Sequence, residues 1–320
     1  MKPQPDLLRR YLLRPNQPEL PEAAVSLPLE WSKLFGRRAP LAVELGFGAG
    51  DSLNWWAGRR PEWNFVGIEQ PLECILKASS RLQQAGRENV RLIRGDARYL
   101  LPELFPPISL HRILMQFPMP WPKERHAKHR VSGIAFAESL AHVLAPDGRF
   151  ELVTDQDWFA FESQKGLRHC HDLAVGEVEI NPERPFRTRY ERKWLAEGRS
   201  IFRLTATLRT HRRRPSLFQE TPMLHQKIST MPSDAAIQAL AGRRFKQEEQ
   251  VAEIKEVFQN PKSYLLRVLT ADQSFSQLFF VRLEARQDGS GLLKIEDHPR
   301  PYLTSAVRLL LQETAKACEP

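Results

Sequence analysis

Cysteine is scarce in this 320-residue chain: Cys74, Cys170 and Cys318 are far apart and odd in number. That excludes a disulfide framework and fits a reducing compartment. No run of roughly 18 apolar residues occurs, so no membrane span is expected. The first ten residues are charged and carry no apolar stretch of the signal-peptide kind. A cytoplasmic protein with no membrane partner is the expectation. His169-Cys170-His171 lacks a second Cys/His pair at finger spacing, and adjacent ligands on so short a segment rarely close a tetrahedral site. No metal is expected, and no internal repeat is visible.

Basic residues, by contrast, are in excess, with a formal net charge of +9. The cations cluster at Lys123 to Arg130, Arg184 to Lys193 and Arg209 to Arg214, which favours a polyanionic partner such as nucleic acid. Hydrophobic content of 42% and charged content of 27% are ordinary for a globular protein, and the length suggests two units of unequal size.

Residues 1–39 are proline-rich and read as an N-terminal arm. From Leu41 onward, strand patterns (Leu41–Leu45, Phe65–Glu69, Val90–Ile93, His111–Phe117, Arg149–Thr154) alternate with helical ones (Asp51–Arg59, Leu72–Gln84, Ser132–Leu144). Alternation of this kind predicts an α/β fold, a doubly wound and mostly parallel sheet covered on both faces, over residues 40–213. Ile201–Arg209 adds a late antiparallel strand. A linker is expected at 214–233, then a second, smaller α+β domain at 234–320. In that domain the spacing of Val251, Ile254 and Phe258 predicts a helix over 243–259, with strands at 264–269, 278–284 and 292–296 and a final helix at 302–317.

Glu44-Leu-Gly46-Phe-Gly48-Ala-Gly50 follows a strand and opens a helix, so glycines stand where the backbone turns tightly and a ligand approaches without Cβ obstruction. A dinucleotide loop would place a glycine at position 51. This chain has Asp51, and an acid at a helix N-terminus repels phosphate. Glu69 closes the second strand, placed for two ribose hydroxyls, and Asp96, followed by Ala97, ends the third. Carboxylates at three successive strand ends suit a phosphate-free nucleoside carrying positive charge, and S-adenosylmethionine is such a molecule. Trp55 and Trp56, on the helix after the loop, read as core packing.

Phe117-Pro-Met-Pro-Trp-Pro-Lys123 is the most distinctive segment. Prolines at 118, 120 and 122 lack a backbone N–H and fix φ, so the preceding strand must end in a stiff loop. That loop presents Trp121 beside Lys123, Arg125, His126, Lys128, His129 and Arg130.

With these pieces the chain resembles the bacterial tRNA (guanine-N7)-methyltransferases, class I enzymes dependent on S-adenosylmethionine. The resemblance covers roughly residues 30–210. It rests on Glu-Leu-Gly-Phe-Gly (44–48), Gly-Ile-Glu (67–69), Gly-Asp-Ala (95–97), the proline-tryptophan-lysine block with its trailing basic residues, Thr-Asp (154–155) and Thr-Arg-Tyr-Glu (188–191). It implies a Rossmann-like methyltransferase fold, S-adenosylmethionine bound by Glu44, Gly46, Gly48, Glu69, Asp96 and Ala97, and a guanine of the tRNA variable loop held by Lys123, Asp155, Thr188, Arg189, Tyr190 and Glu191. One position departs from the pattern: the family carries aspartate between the first two prolines, where this chain has Met119. Asp155 is the candidate to take over part of that carboxylate's role, with Asp157 and Glu124 as alternatives. The departure opens a second reading, a tRNA-binding paralogue with weak or no transfer activity. A third, a small-molecule methyltransferase, leaves the basic loops without purpose. The C-terminal domain lies outside the resemblance and is expected to brace or dock the catalytic one.

Overall fold

The computed structural model describes residues 10–13, 27–123, 130, 132–218 and 223–319. Among these, residues up to Pro215 form one compact unit and those from Ser216 a second.

The first unit runs β1 (Leu12–Leu13), α1 (Trp31–Phe35), β2 (Leu41–Leu45), α2 (Asp51–Arg59), β3 (Asn64–Glu69), α3 (Leu72–Gln84), β4 (Val90–Arg94), α4 (Ala97–Leu104), β5 (Leu110–Gln116), α5 (Ile134–Val143), β6 (Leu144–Thr154), α6 (Asp157–Arg168), β7 (Leu173–Val175), β8 (Glu179–Ile180), α7 (Arg189–Ala196) and β9 (Phe202–Leu208). Its sheet has the order β1-β4-β3-β2-β5-β6-β9-β7, with β8 also on β9. The pairings from β1 through β6 are parallel, and β9 runs antiparallel to β6, as its sequence position suggested. All five residues of β2 are buried, as befits a strand covered on both faces. The chain leaves β2 toward β3 and β4 and returns on the other side as β5. The carboxyl ends of β2 and β5 therefore flank the point where strand order reverses, where open α/β sheets hold their ligands.

The N-terminal stretch is more than an arm. Leu12 and Leu13 pair in parallel with Leu92 and Ile93 of β4. Tyr11 is wholly buried, and its hydroxyl donates to the Arg87 carbonyl at 2.8 Å. Trp31 stacks on Phe105 at 4.8 Å and donates from Nε1 to the Leu104 carbonyl.

The second unit contains β10 (His225–Ile228), α8 (Asp234–Gln238), β11 (Arg244–Gln247), β12 (Gln250–Asn260), β13 (Ser263–Asp272), β14 (Phe275–Ala285), β15 (Gly291–Ile295) and α9 (Ser305–Cys318). Its sheet is antiparallel throughout, in the order β10-β15-β14-β13-β12-β11. Ile254, Leu266, Val268, Phe279 and Leu283 share one core with Val307, Leu310 and Leu311 of α9. The helix expected over 243–259 is instead the hairpin β11–β12, turning at Glu248 with φ 50°. Skipping Lys255, a register shift between Ile254 and Glu256 brings Val257 toward the core three residues after Ile254, a spacing that imitates a helix. β10 falls within the stretch expected as linker.

Candidate active site

Three glycines shape the turn after β2. Gly46, Gly48 and Gly50 have φ of 70°, 54° and 77°, the left-handed region. At Gly46 and Gly48 a Cβ would meet nothing within 4 Å, whereas at Gly50 it would lie 2.8 Å from the Ala78 Cβ. The first two thus leave a bare backbone facing open space, and the third lets α3 pack close. Glu69, at the end of β3, fastens this loop: its Oε2 accepts from the Gly48 N–H and its Oε1 from the Gln70 N–H, both at 2.9 Å. A carboxylate has about four acceptor sites, so capacity for ribose hydroxyls remains. Asp96, two residues past the end of β4, caps α4, which Ala97 opens; its Oδ1 accepts from the Arg98 N–H at 3.1 Å, and its carboxylate pairs with the Arg98 guanidinium. The residues expected to hold the cofactor thus converge on the carboxyl ends of β2, β3 and β4.

Glu44 is the most unusual of them. It is 3% exposed, its Oε1 accepts from Gln116 Nε2 at 3.3 Å, and its Oε2 is buried with no hydrogen-bond partner. Burial pushes its carboxyl up to about 8, against the opposing pull of Ser52, Arg184 and Gln116. Near neutral pH such a carboxyl is mainly protonated while nothing lies beside it, and a cation brought against its unsatisfied oxygen at the switch point would favour the ionised form. That preference fits a nucleoside bearing an ammonium and a sulfonium.

Gln116, the last residue of β5, extends this polar contact. Its amide nitrogen also meets the Ser52 hydroxyl at the start of α2, while its carbonyl oxygen accepts from Arg184 Nη2 at 2.5 Å. Arg184, its side chain 5% exposed, pairs in turn with the Glu191 carboxylate. Gln116 is an ordinary polar residue that carries no site signal in the sequence, and Arg184 is legible there only as the first cation of the cluster that runs to Lys193. The segment before α7 carries Arg184 back to the end of β5, and that long-range return brings them together.

Thr188 and Glu191 form a capping box at the start of α7: the Thr188 hydroxyl accepts from the Glu191 N–H at 3.1 Å, and the Glu191 carboxylate accepts from the Thr188 N–H at 3.3 Å. Glu191 is 1% exposed. The Thr-x-x-Glu spacing carries this signal in the sequence. Tyr190 is 56% exposed and stacks on Trp194 at 5.8 Å, which in turn lies 4.9 Å from Phe117 of the proline loop. A run of aromatic rings, exposed at Tyr190 and half-buried at Trp194 and Phe117, therefore joins the two segments expected to meet the base. The Arg189 side chain lies outside the described residues.

In the proline loop, Phe117 and Trp121 have φ of 49° and 50°, and Met119 is 67% exposed. Lys123 is exposed; residues 124–129, with Glu124 and four of the expected cations, lie outside the described residues. Arg130 corrects the expectation of a free cation. Its guanidinium pairs with Glu162 of α6 at 2.8 Å, donates to the Trp121 carbonyl at 3.1 Å, and lies over the Trp158 ring. It latches the loop. Arg212 and Arg214 likewise serve structure, the first pairing with Asp172 and Glu138, the second donating to the Ala135 carbonyl and Ser139 hydroxyl. Asp155 directly follows β6, where the Phe117 N–H reaches the neighbouring Val153 carbonyl at 2.7 Å. Its Oδ2 accepts from Gln156 Nε2 at 2.7 Å and pairs with Arg199 at 3.4 Å. Asp157 opens α6, where its Oδ1 accepts from the Trp158 N–H.

Comparison with known proteins finds relatives of this chain. The family model described as "Putative methyltransferase" matches residues 38–204. A tRNA (guanine-N(7)-)-methyltransferase of Thermotoga maritima is 35% identical over 294 residues, 91% of this chain and 93% of that protein. That of Thermus thermophilus is 32% identical over 88% of this chain and 89% of its own length. That of Myxococcus xanthus is 37% identical over 201 residues, 61% of this chain but 97% of the relative. The likeness therefore reaches beyond residues 30–210 and into the second unit in the first two cases.

Proposed function

Since the chain belongs to the tRNA (guanine-N7)-methyltransferase family, we propose that it transfers a methyl group from S-adenosylmethionine to N7 of a guanine in tRNA, within the variable loop by the family likeness. The observation that carries this reading is the unsatisfied buried oxygen of Glu44, set between the glycine loop and the end of β5. S-adenosylmethionine, when bound, supplies a methyl group made electrophilic by its sulfonium. Glu44 would meet its positive charge, Glu69 its ribose, and the bare backbone of Gly46 and Gly48 would let it approach. Asp96 and Ala97 would border the base.

Guanine N7 is a free lone pair, so no proton need be removed before it attacks. The protein's task is alignment, which can supply about 7 to 11 kcal/mol of the barrier. The proline loop is built for this: three residues lack a backbone N–H, and Arg130 holds the loop to α6. Thr188, Tyr190 and Glu191 would receive the base together with Lys123. Methylation moves positive charge onto the purine, and Asp155, just past the end of β6, would be the carboxylate that stabilises it. The protein is read as working in the cytosol.

Met119 favours a second reading. An exposed thioether stands where the family has a carboxylate, which would suit a protein that binds tRNA without modifying it. Incubation with unmodified tRNA and labelled S-adenosylmethionine, followed by nucleoside analysis, decides. Label in 7-methylguanosine is the expected result, and tRNA binding without it would favour the paralogue.

A further inference from the structure

A concavity of about 440 Å³ opens between α2, α3 and the segment leading into α7, within the size range of small-ligand sites. Four arginines line it (Arg59, Arg81, Arg87 and Arg192) against a single carboxylate, Asp51. Arg81 neutralises Asp51 at 2.7 Å. Three guanidinium groups are left to set its character. Those of Arg59 and Arg192 are exposed, and Arg87 is fixed by Nε donating to Asn54 Oδ1 at 2.9 Å.

Gly58 and Asn54 seat Arg87 in the wall of the concavity. Gly58 lies inside α2, where glycine costs about 1 kcal/mol relative to alanine. A Cβ there would sit 2.3 Å from Arg87 Nη2 and 2.5 Å from its Cζ. The missing side chain is the seat of the guanidinium. Beside it, Trp55 and Phe186 form an aromatic wall, their ring centroids 5.3 Å apart and inclined by 31°. Guanidinium groups suit a phosphate, and an aromatic face suits the base attached to it.

The concavity adjoins the site already described along the chain. Asp51 follows Gly50 directly, and Arg192 follows Glu191. We infer that this groove binds a phosphate of the tRNA strand, with an adjoining base against Trp55, and so anchors tRNA beside the place where guanine reacts. The inference rests on the tRNA reading above and adds to it a binding site for the strand.

Binding of unmodified tRNA to the full chain, followed by fluorescence anisotropy over a salt series, tests it. The double variant Arg59→Gln/Arg192→Gln should raise Kd about tenfold and reduce the slope of log K against log salt by roughly one to two. Gly58→Ala should melt no lower than the parent, since alanine favours the helix, yet bind tRNA more weakly because Arg87 loses its seat. Calorimetric affinity for S-adenosylmethionine should be unchanged in both. Parental Kd and salt slope in both variants would overturn the groove while leaving methyl transfer by the parent intact. A parent that binds tRNA but makes no 7-methylguanosine, with both variants weakened, would sink the transfer reading and sustain the groove. A parent that ignores tRNA would remove both.

Discussion

Arg184 donates from Nη2 to Gln116 Oε1 at 2.5 Å, tying the segment before α7 to the end of β5. Through Gln116 the contact continues to Glu44 and Ser52, and through the other face of the guanidinium to Glu191. One buried cation therefore joins the side of the site that would hold the cofactor to the side that would hold the base.

Replacing that cation should be costly. Arg184→Met leaves the Glu191 carboxylate buried without its partner, a change worth about 3 to 5 kcal/mol. A drop of that size in unfolding free energy from urea titration is expected, with Arg184→Lys losing less. A stability equal to the parent's would mean that Glu191 finds another partner.

Glu44 should make the cofactor-free protein sensitive to alkali. Its carboxyl is raised from an unfolded value of 4.5 to about 8, so between those values the folded state binds the extra proton. Stability is then greatest at the acid end of the window and falls as pH rises through it, by up to about 1.4 kcal/mol per unit. Melting temperatures at pH 5 and pH 8 should diverge more for the parent than for Glu44→Gln. Parallel curves would refute the assignment.

The exposed Met119 offers a gain-of-function test. A charge-assisted hydrogen bond is worth about 1.5 to 3 kcal/mol, or ten- to hundredfold in rate. Met119→Asp should raise turnover within that range, and Asp155→Asn should lower it. If Asp155→Asn turns over like the parent, Asp155 has no part in stabilising the methylated base.

The second unit has its own core, drawn from Ile228 to Cys318. A chain of residues 216–320 should unfold in one cooperative denaturant transition. A chain ending at Pro215 should melt below the full protein but keep its affinity for tRNA. Unchanged melting with lost binding would give the second unit a direct role on RNA, contrary to the bracing expected of it.

Much of the first unit was legible because its signals are local. Leu41–Leu45, Asp51–Arg59 and Leu72–Gln84 begin and end where glycine, proline or a change of periodicity says they should. The carboxylates at the ends of β2, β3 and β4 were legible for the same reason. Pairings over long sequence distances were not. Nothing in a count of cations distinguishes Arg130, Arg184 and Arg212, which serve the protein's own carboxylates, from Arg59 and Arg192, which face solvent. Thr188 and Glu191 carry a helix-start spacing in the sequence, alongside the substrate contact that the family resemblance implies for them. At 243–259 the bulge at Lys255 puts Ile254 and Val257 on the core side three residues apart, while Val251 and Phe258, which completed the apparent helical face, lie outside the core cluster.

Tyr11 ties the far N-terminal end to the arginine groove, because the carbonyl its hydroxyl meets belongs to Arg87. Proteolytic trimming of the first dozen residues would thus loosen a guanidinium seat many residues downstream in sequence. An N-terminally clipped preparation should bind RNA less tightly even with every arginine of the groove still present.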